Sequence, residues 1–214
     1  LMPNGELKER KAGTPQGGVI SPVLANLFLH YAFDRYMEVM FAGVPWVRYA
    51  DDAVIHCRTE QEAQEILRRL HTRMHSCKLE LHPRKTRIVY CKDKDRKGAY
   101  PNTEFDFLGY TFRGRWIKDR LGRVQCNFIA AVSDEAIQAM RDTIRSWRVK
   151  LHSGSDIKSL SERYNAVLRG WFNYYGKYCG SMMRTIADYF NQVLINWARF
   201  TYRRLNGSRK RARD

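Results

Sequence analysis

The chain has no apolar run long enough to cross a bilayer and no secretory hydrophobic segment, which predicts a cytoplasmic protein with no membrane partner. Cysteine is sparse: Cys57, Cys77, Cys91, Cys126 and Cys179 are odd in number, widely spaced and without a Cys-x-x-Cys pair. They read as reduced, structural thiols. His71 and His75 have helical i,i+4 spacing, but only a lone Cys77 lies nearby, so a solvated helix face is the better reading and no zinc is assigned. The sequence shows no internal repeat. Acid is the most informative shortage, with 22 Asp and Glu against 38 Lys and Arg. The net charge of +16 points to a polyanionic partner such as RNA or DNA. What is present argues for a folded protein: 214 residues with 44% hydrophobic and 13% aromatic content can bury a core in one large or two small domains.

Tyr49-Ala50-Asp51-Asp52 places two adjacent carboxylates between β-prone runs, Val44, Trp46, Val47 and Tyr49 on one side and Ala53, Val54 and Ile55 on the other. The pattern predicts a hairpin with an acidic tip. Like charges side by side repel, and an oxygen-coordinated cation such as Mg²⁺ offsets that repulsion while leaving positions for phosphates and water. Taken alone, the pair fits an ordinary polar turn better.

Upstream, Gly13-Thr14-Pro15-Gln16-Gly17-Gly18 forms a loop whose glycines allow close ligand approach, followed by a helix that Ser21 can cap and Pro22 can open. Val23, Leu24, Leu27, Phe28 and Tyr31 repeat at helical spacing toward a core. Thr59 and Glu62 form a capping-box pattern ahead of a helix over about 60–77. A short alternating run at 79–83 and a strand around 87–91 come next. Phe105 to Arg113, Arg115 to Lys118 and Arg123 to Ile129 then alternate between glycine-bearing turns, which predicts a small antiparallel meander. Beyond Ala131, three apolar stripes mark helices: Ile137 to Trp147, Leu160 to Trp171, and Met183 to Trp197. Arg199 to Arg213 carries seven basic residues and no acid, either as a helix end laid on phosphates or as a frayed tail.

Five segments in this order resemble the reverse transcriptases of bacterial group II introns, and together they cover nearly the whole chain. Thr14 to Pro22 is similar to the loop and helix beside the incoming nucleotide, and Tyr49 to Asp52 to the metal-binding turn. Pro83-Arg84-Lys85-Thr86 resembles the next motif, and Phe107-Leu108-Gly109-Tyr110 the primer-gripping hairpin. Val167-Leu168-Arg169-Gly170-Trp171-Phe172-Asn173-Tyr174-Tyr175 resembles the signature of the thumb, also called the maturase or X domain.

The resemblance implies an RNA-directed DNA polymerase of the nucleotidyltransferase class, using two Mg²⁺ ions, together with a maturase role in splicing. Its partners would be intron RNA, an RNA template, a DNA primer and dNTPs. Asp51 and Asp52 are the implied metal ligands, and Tyr49 lies where the primer end would pass. Gln16, Gly17 and Gly18 would lie beside the nascent base pair, and Phe107, Leu108 and Gly109 would grip the primer. Lys85 either steadies or protonates the pyrophosphate or is a solvated strand-edge lysine. Arg141, Arg145, Arg148, Arg169, Arg199, Arg203 and Arg204 would meet RNA phosphates, while Trp147, Trp171 and Trp197 are expected in the core. Such enzymes need a further metal-binding Asp on an upstream strand that this sequence does not show; Asp156-Ile157-Lys158 echoes the motif but reads as a helix start. The segment alone is therefore expected to be inactive, and an incomplete sheet would favour self-association. The expected fold is α+β: a partial palm over 1–130, with antiparallel strands and packed helices, then an all-α thumb bundle over 131–214. A maturase module that only binds RNA is the alternative, as is a reverse transcriptase of the retron, CRISPR or diversity-generating type. No His-Asn-His endonuclease pattern follows Trp197.

Overall fold

The structure, a computed structural model, describes residues 13, 17–96, 98–118 and 121–205, apart from the Arg203 side chain. It divides into two compact units, Leu1–Ile88 and Val89–Asp214.

In the first unit, α1 (Ser21–Leu29) runs without interruption into a π-helical turn (His30–Asp34) and α2 (Arg35–Met40). Pro22 opens α1 as expected, but Ile20 rather than Ser21 holds the N-cap position and no side chain caps it; Ser21 is buried one residue inside. The hairpin β1 (Trp46–Tyr49) and β2 (Asp52–Ile55) pairs Trp46 with Ile55 and Tyr49 with Asp52. Helix α3 (Glu60–Ser76) starts where the capping pattern places it: the Glu62 N–H donates to Thr59 Oγ1 at 3.1 Å, and the Arg58 N–H donates to the Glu62 carboxylate at 2.6 Å. Ile66, Leu70 and Met74 on α3 close over Ala32, Phe33 and Met37, and Trp46 adds an edge-on contact to Phe33. That helix-on-helix seam is the unit's core. The π turn is held from α3 as well, because Arg73 donates to the carbonyls of Tyr31 and Ala32, each at 3.1 Å.

Two expectations fail up to Cys91. The stripe of Val23, Leu24, Leu27, Phe28 and Tyr31 does not point into a core: all five are exposed, and the first buried apolar side chain among the described residues is Ala32. From this helical run the core is reached by Ala32, Phe33 and Met37, and no side chain of the stripe is among those packed against it. The runs at 79–83 and 87–91 carry no strand ladder among the described residues, although the Tyr90 N–H donates to Asn102 O at 2.9 Å.

In the second unit, β3 (Glu104–Phe107), β4 (Tyr110–Lys118) and β5 (Val124–Val132) form the antiparallel meander in that order. Gly114 does not break β4 as a turn would. It admits the Lys92 carbonyl and Cys126 Sγ, which would lie 3.0 and 3.1 Å from an added Cβ. Three helices follow: α4 (Asp134–Ser146), α5 (Ile157–Cys179) and α6 (Arg184–Thr201). Ser133 and Asp156 are true N-caps, accepting from Ala136 N–H at 3.1 Å and Ser159 N–H at 2.8 Å, so Asp156 begins a helix as read from the sequence. Ile137, Met140 and Ile144 of α4 meet Ile186 of α6 and Met183 just before it, over Val132 of β5. Leu160, Tyr164 and Trp197 surround Val149. Trp147 stacks on Tyr164 and Trp171 at ring distances of 4.4 and 5.8 Å, and the Trp197 indole donates to His152 O at 3.0 Å. The three tryptophans are thus packing residues. Antiparallel sheets and helices together give the α+β class.

Candidate nucleotidyl-transfer site

The acidic pair occupies the tip of the β1–β2 hairpin. Tyr49 and Asp52 close the ladder, leaving Ala50 and Asp51 as a two-residue loop. Ala50 has φ 53, a left-handed conformation that costs a residue with a Cβ roughly 1–2 kcal/mol. Asp51 and Asp52 are both exposed, and neither side chain is taken up by an ion pair or hydrogen bond among the described residues. Tyr49, 63% exposed, flanks them. The tip thus holds two unshared carboxylates.

Holding this tip is a network the sequence reading missed. Arg48 alternates to the same face of β1 as Trp46, and its side chain is only 11% exposed. Its Nε and Nη2 donate to the two oxygens of Asp34 at 2.6 and 2.7 Å, a bidentate pair between a strand and the π turn. Nη1 donates to Ala50 O at 2.6 Å and to Asn26 Oδ1 at 2.9 Å. The hydrogen bond from Arg48 holds the Asp34 carboxyl below the usual carboxylate range against an opposing push from burial, and His30 adds to the lowering. One signal was available in the sequence: a cation at an inward strand position requires a buried partner.

The remaining residues scatter in role. Gln16 lies outside the described residues. Gly17 has φ 83, and Gly18 accepts the Ser21 N–H at 3.1 Å, so this glycine pair turns the chain into α1. Lys85 sits in a turn rather than on a strand edge; its N–H donates to His82 O at 3.2 Å and its side chain is exposed.

In the second unit, Phe107 and Tyr110 close another two-residue hairpin, with Leu108 at φ 52 and Gly109 at φ 76. Aromatic side chains of α5 hold this turn. Tyr174 OH donates to Leu108 O at 3.0 Å, Tyr110 OH donates to Tyr174 O, and a Cβ on Gly109 would lie 2.8 Å from the Tyr175 hydroxyl. Burial pushes the Tyr110 and Tyr175 phenols up from their ordinary value, with Tyr174 adding to both.

The described arginine side chains have different surroundings. Arg141 lies over the Tyr189 ring at 5.8 Å, and Arg145 is paired with Asp142 at 2.5 Å. Arg148 is exposed at the left-handed residue that ends the α4 turn, and Arg169 donates to Asn165 O at 3.3 Å. Arg199 lines a shallow concavity of about 300 Å³ with Lys150, Asn196 and Phe200, where Lys150 Nζ sits 4.9 Å from the Phe200 ring. Arg204 is exposed, and the Arg203 side chain lies outside the described residues. Lys150 was not singled out from sequence; only its contact with a ring 50 residues away marks it.

No helix is long and apolar enough to cross a membrane among the described residues. No group of three or more His, Cys, Asp or Glu converges there either. Two hard carboxylates on an exposed tip still suit a divalent cation of the Mg²⁺ type, which takes one or two protein carboxylates and fills its shell with water and substrate phosphates.

Comparison with known proteins fits this geometry. Residues 2–112 match the reverse transcriptase (RNA-dependent DNA polymerase) family, and residues 137–214 match the group II intron maturase-specific domain. The chain is 26% identical over 276 residues to the group II intron-encoded protein LtrA of Lactococcus lactis subsp. cremoris, and to the same degree to that of strain MG1363. Each match covers 90% of this chain and 42% of the relative, so the chain spans less than half the length of the curated relatives it matches. A reverse transcriptase match over half of the chain, followed by a maturase-specific domain, settles its kinship: the chain belongs to the reverse transcriptase family, in its group II intron branch.

Proposed function

We propose that this chain is the palm and thumb portion of an RNA-directed DNA polymerase that copies group II intron RNA, and that the full protein also binds that RNA as a splicing maturase. The observation that carries the reading is the strained, braced hairpin tip bearing Asp51 and Asp52 without side-chain partners. Asp51 and Asp52 would hold Mg²⁺, which when bound supplies charge stabilisation at the primer 3′-hydroxyl and the departing pyrophosphate. Gln16, Gly17, Gly18 and Tyr49 would lie along the nascent base pair and primer end. The Leu108-Gly109 turn, stiffened by Tyr174 and Tyr175, would bear on the primer backbone. Lys85, exposed on a turn, is suited to steadying phosphate charge.

RNA template, DNA primer and dNTPs are the substrates in this reading, and a basic surface that includes Arg148, Arg169, Arg199 and Arg204 meets phosphates. We place the palm–thumb boundary near Ala131, between the two family matches. The bare apolar face of α1 supports self-association or burial against further protein. The maturase-specific match favours the intron assignment over retron, CRISPR or diversity-generating enzymes, and it also supports a second reading in which RNA binding is the only activity.

Primer extension by the full-length protein on a primed RNA template separates the two. Divalent-cation-dependent cDNA synthesis is expected. RNA binding and splicing without nucleotide incorporation would establish the binding-only reading instead.

A further inference from the structure

The contacts of Arg48 exceed what a structural ion pair needs. Two of its nitrogens are used by Asp34, which would suffice to join β1 to the π turn. The third nitrogen reaches the carbonyl of Ala50, and Asn26, which bonds it as well, is fixed by its own donation to Pro22 O at 3.1 Å. Ala50 O and the Asp51 N–H belong to one planar trans peptide, so they point in opposite directions. Pinning that oxygen against the guanidinium therefore sets the orientation of the Asp51 peptide. The pinned residue is also the left-handed one, which an alanine adopts only when its surroundings hold it there.

We infer that Arg48, braced by Asp34 and Asn26, is a positioning residue that fixes the rotation of the Ala50–Asp51 peptide and so aims the Asp51 carboxylate. The inference rests on the polymerase reading above. It assigns a role to a side chain that touches no reacting atom. A lysine cannot replace it, because a point-like ammonium lacks the fork that serves Asp34 on two prongs and the turn carbonyl on a third.

The test uses the full-length protein and single-nucleotide incorporation on a primed RNA template. Arg48→Lys should lower kcat about 10- to 100-fold, as expected when a reacting group is slightly misplaced, with KM for dNTP and RNA affinity within about twofold of the parent. Adding Ala50→Gly, which relieves the left-handed penalty, should recover at least about threefold of the lost kcat. Asn26→Ala, which leaves the ion pair intact, should show a smaller loss of the same kind. Mn²⁺ titration followed by electron paramagnetic resonance gives a readout independent of turnover, and Arg48→Lys should weaken Mn²⁺ binding severalfold. The inference is overturned if Arg48→Lys leaves kcat and Mn²⁺ affinity unchanged. It is overturned equally if the loss appears alongside lost RNA binding and a lowered melting temperature, with no recovery from Ala50→Gly. A parent protein that incorporates no nucleotide but binds Mn²⁺ and RNA normally would instead remove the polymerase reading.

Discussion

The two hairpin tips use the same backbone device and opposite locks. Ala50-Asp51 and Leu108-Gly109 are both two-residue loops with a non-glycine residue at positive φ. The first is held by charge, through a guanidinium shared among a carboxylate, an amide and the turn carbonyl. The second is held by volume and hydroxyls, through tyrosines packed against a glycine. An ionic lock leaves the tip open, which suits a turn whose side chains must remain free for a ligand. An aromatic lock presses the loop against a helix, which suits a turn whose backbone must stay rigid.

Breaking the ionic lock should have the largest effect on stability. Asp34→Ala strands the mostly buried charge of Arg48, and roughly 2–4 kcal/mol of local stability should be lost, a little below the range for fully buried pairs. Hydrogen exchange in the β1–β2 peptides measures this, and unchanged protection would show that the pair is ornamental.

Gly109→Ala attacks the aromatic lock through the 2.8 Å approach of Tyr175 and the positive φ, and should cost about 1–3 kcal/mol. Tyr175→Phe in the same background should return part of that loss, because the hydroxyl is the nearest atom. Urea unfolding of the second unit, followed by tryptophan fluorescence, reads both. Tyr174→Phe removes a single hydrogen bond to Leu108 O and should cost only about 0.5–1.5 kcal/mol in the same experiment.

The smallest effect separates the locks by pH. The folded carboxyl of Asp34 titrates below its unfolded value, so its contribution is fully present above about pH 4 and is lost as pH falls through the lowered folded value. Protection of the β1–β2 hairpin should therefore weaken in acid in the parent protein and lose that component in Asp34→Asn. The Leu108-Gly109 turn, held by tyrosines, should not respond over that range.

The same contrast explains what could be read in advance. Features set by neighbouring residues were legible: the Thr59 and Asp156 caps, the α3 to α6 stripes and the acidic hairpin tip follow from spacing. The Leu108-Gly109 turn, by contrast, came from the family resemblance, and the alternation put a turn at Gly114, inside β4. Features set across the fold were not. The π turn, which brings Asp34 to a strand cation 14 residues away, has no periodic signature. Segment 87–91 has the composition of a strand but finds no ladder partner among the described residues. Of the expected arginines, Arg141 and Arg145 turned to partners on their own surface, Tyr189 and Asp142, which helical spacing cannot distinguish from a face open to phosphates.

Asp51→Asn in the full-length protein, with cDNA synthesis and intron-RNA affinity measured on one preparation, tests the central claim most directly. Loss of synthesis by about 10³-fold or more, the several kcal/mol that metal-assisted charge stabilisation supplies, with RNA affinity unchanged, is the predicted result. Synthesis persisting at the parent rate would mean that the exposed acidic tip is a surface turn and that nucleotide addition takes place elsewhere.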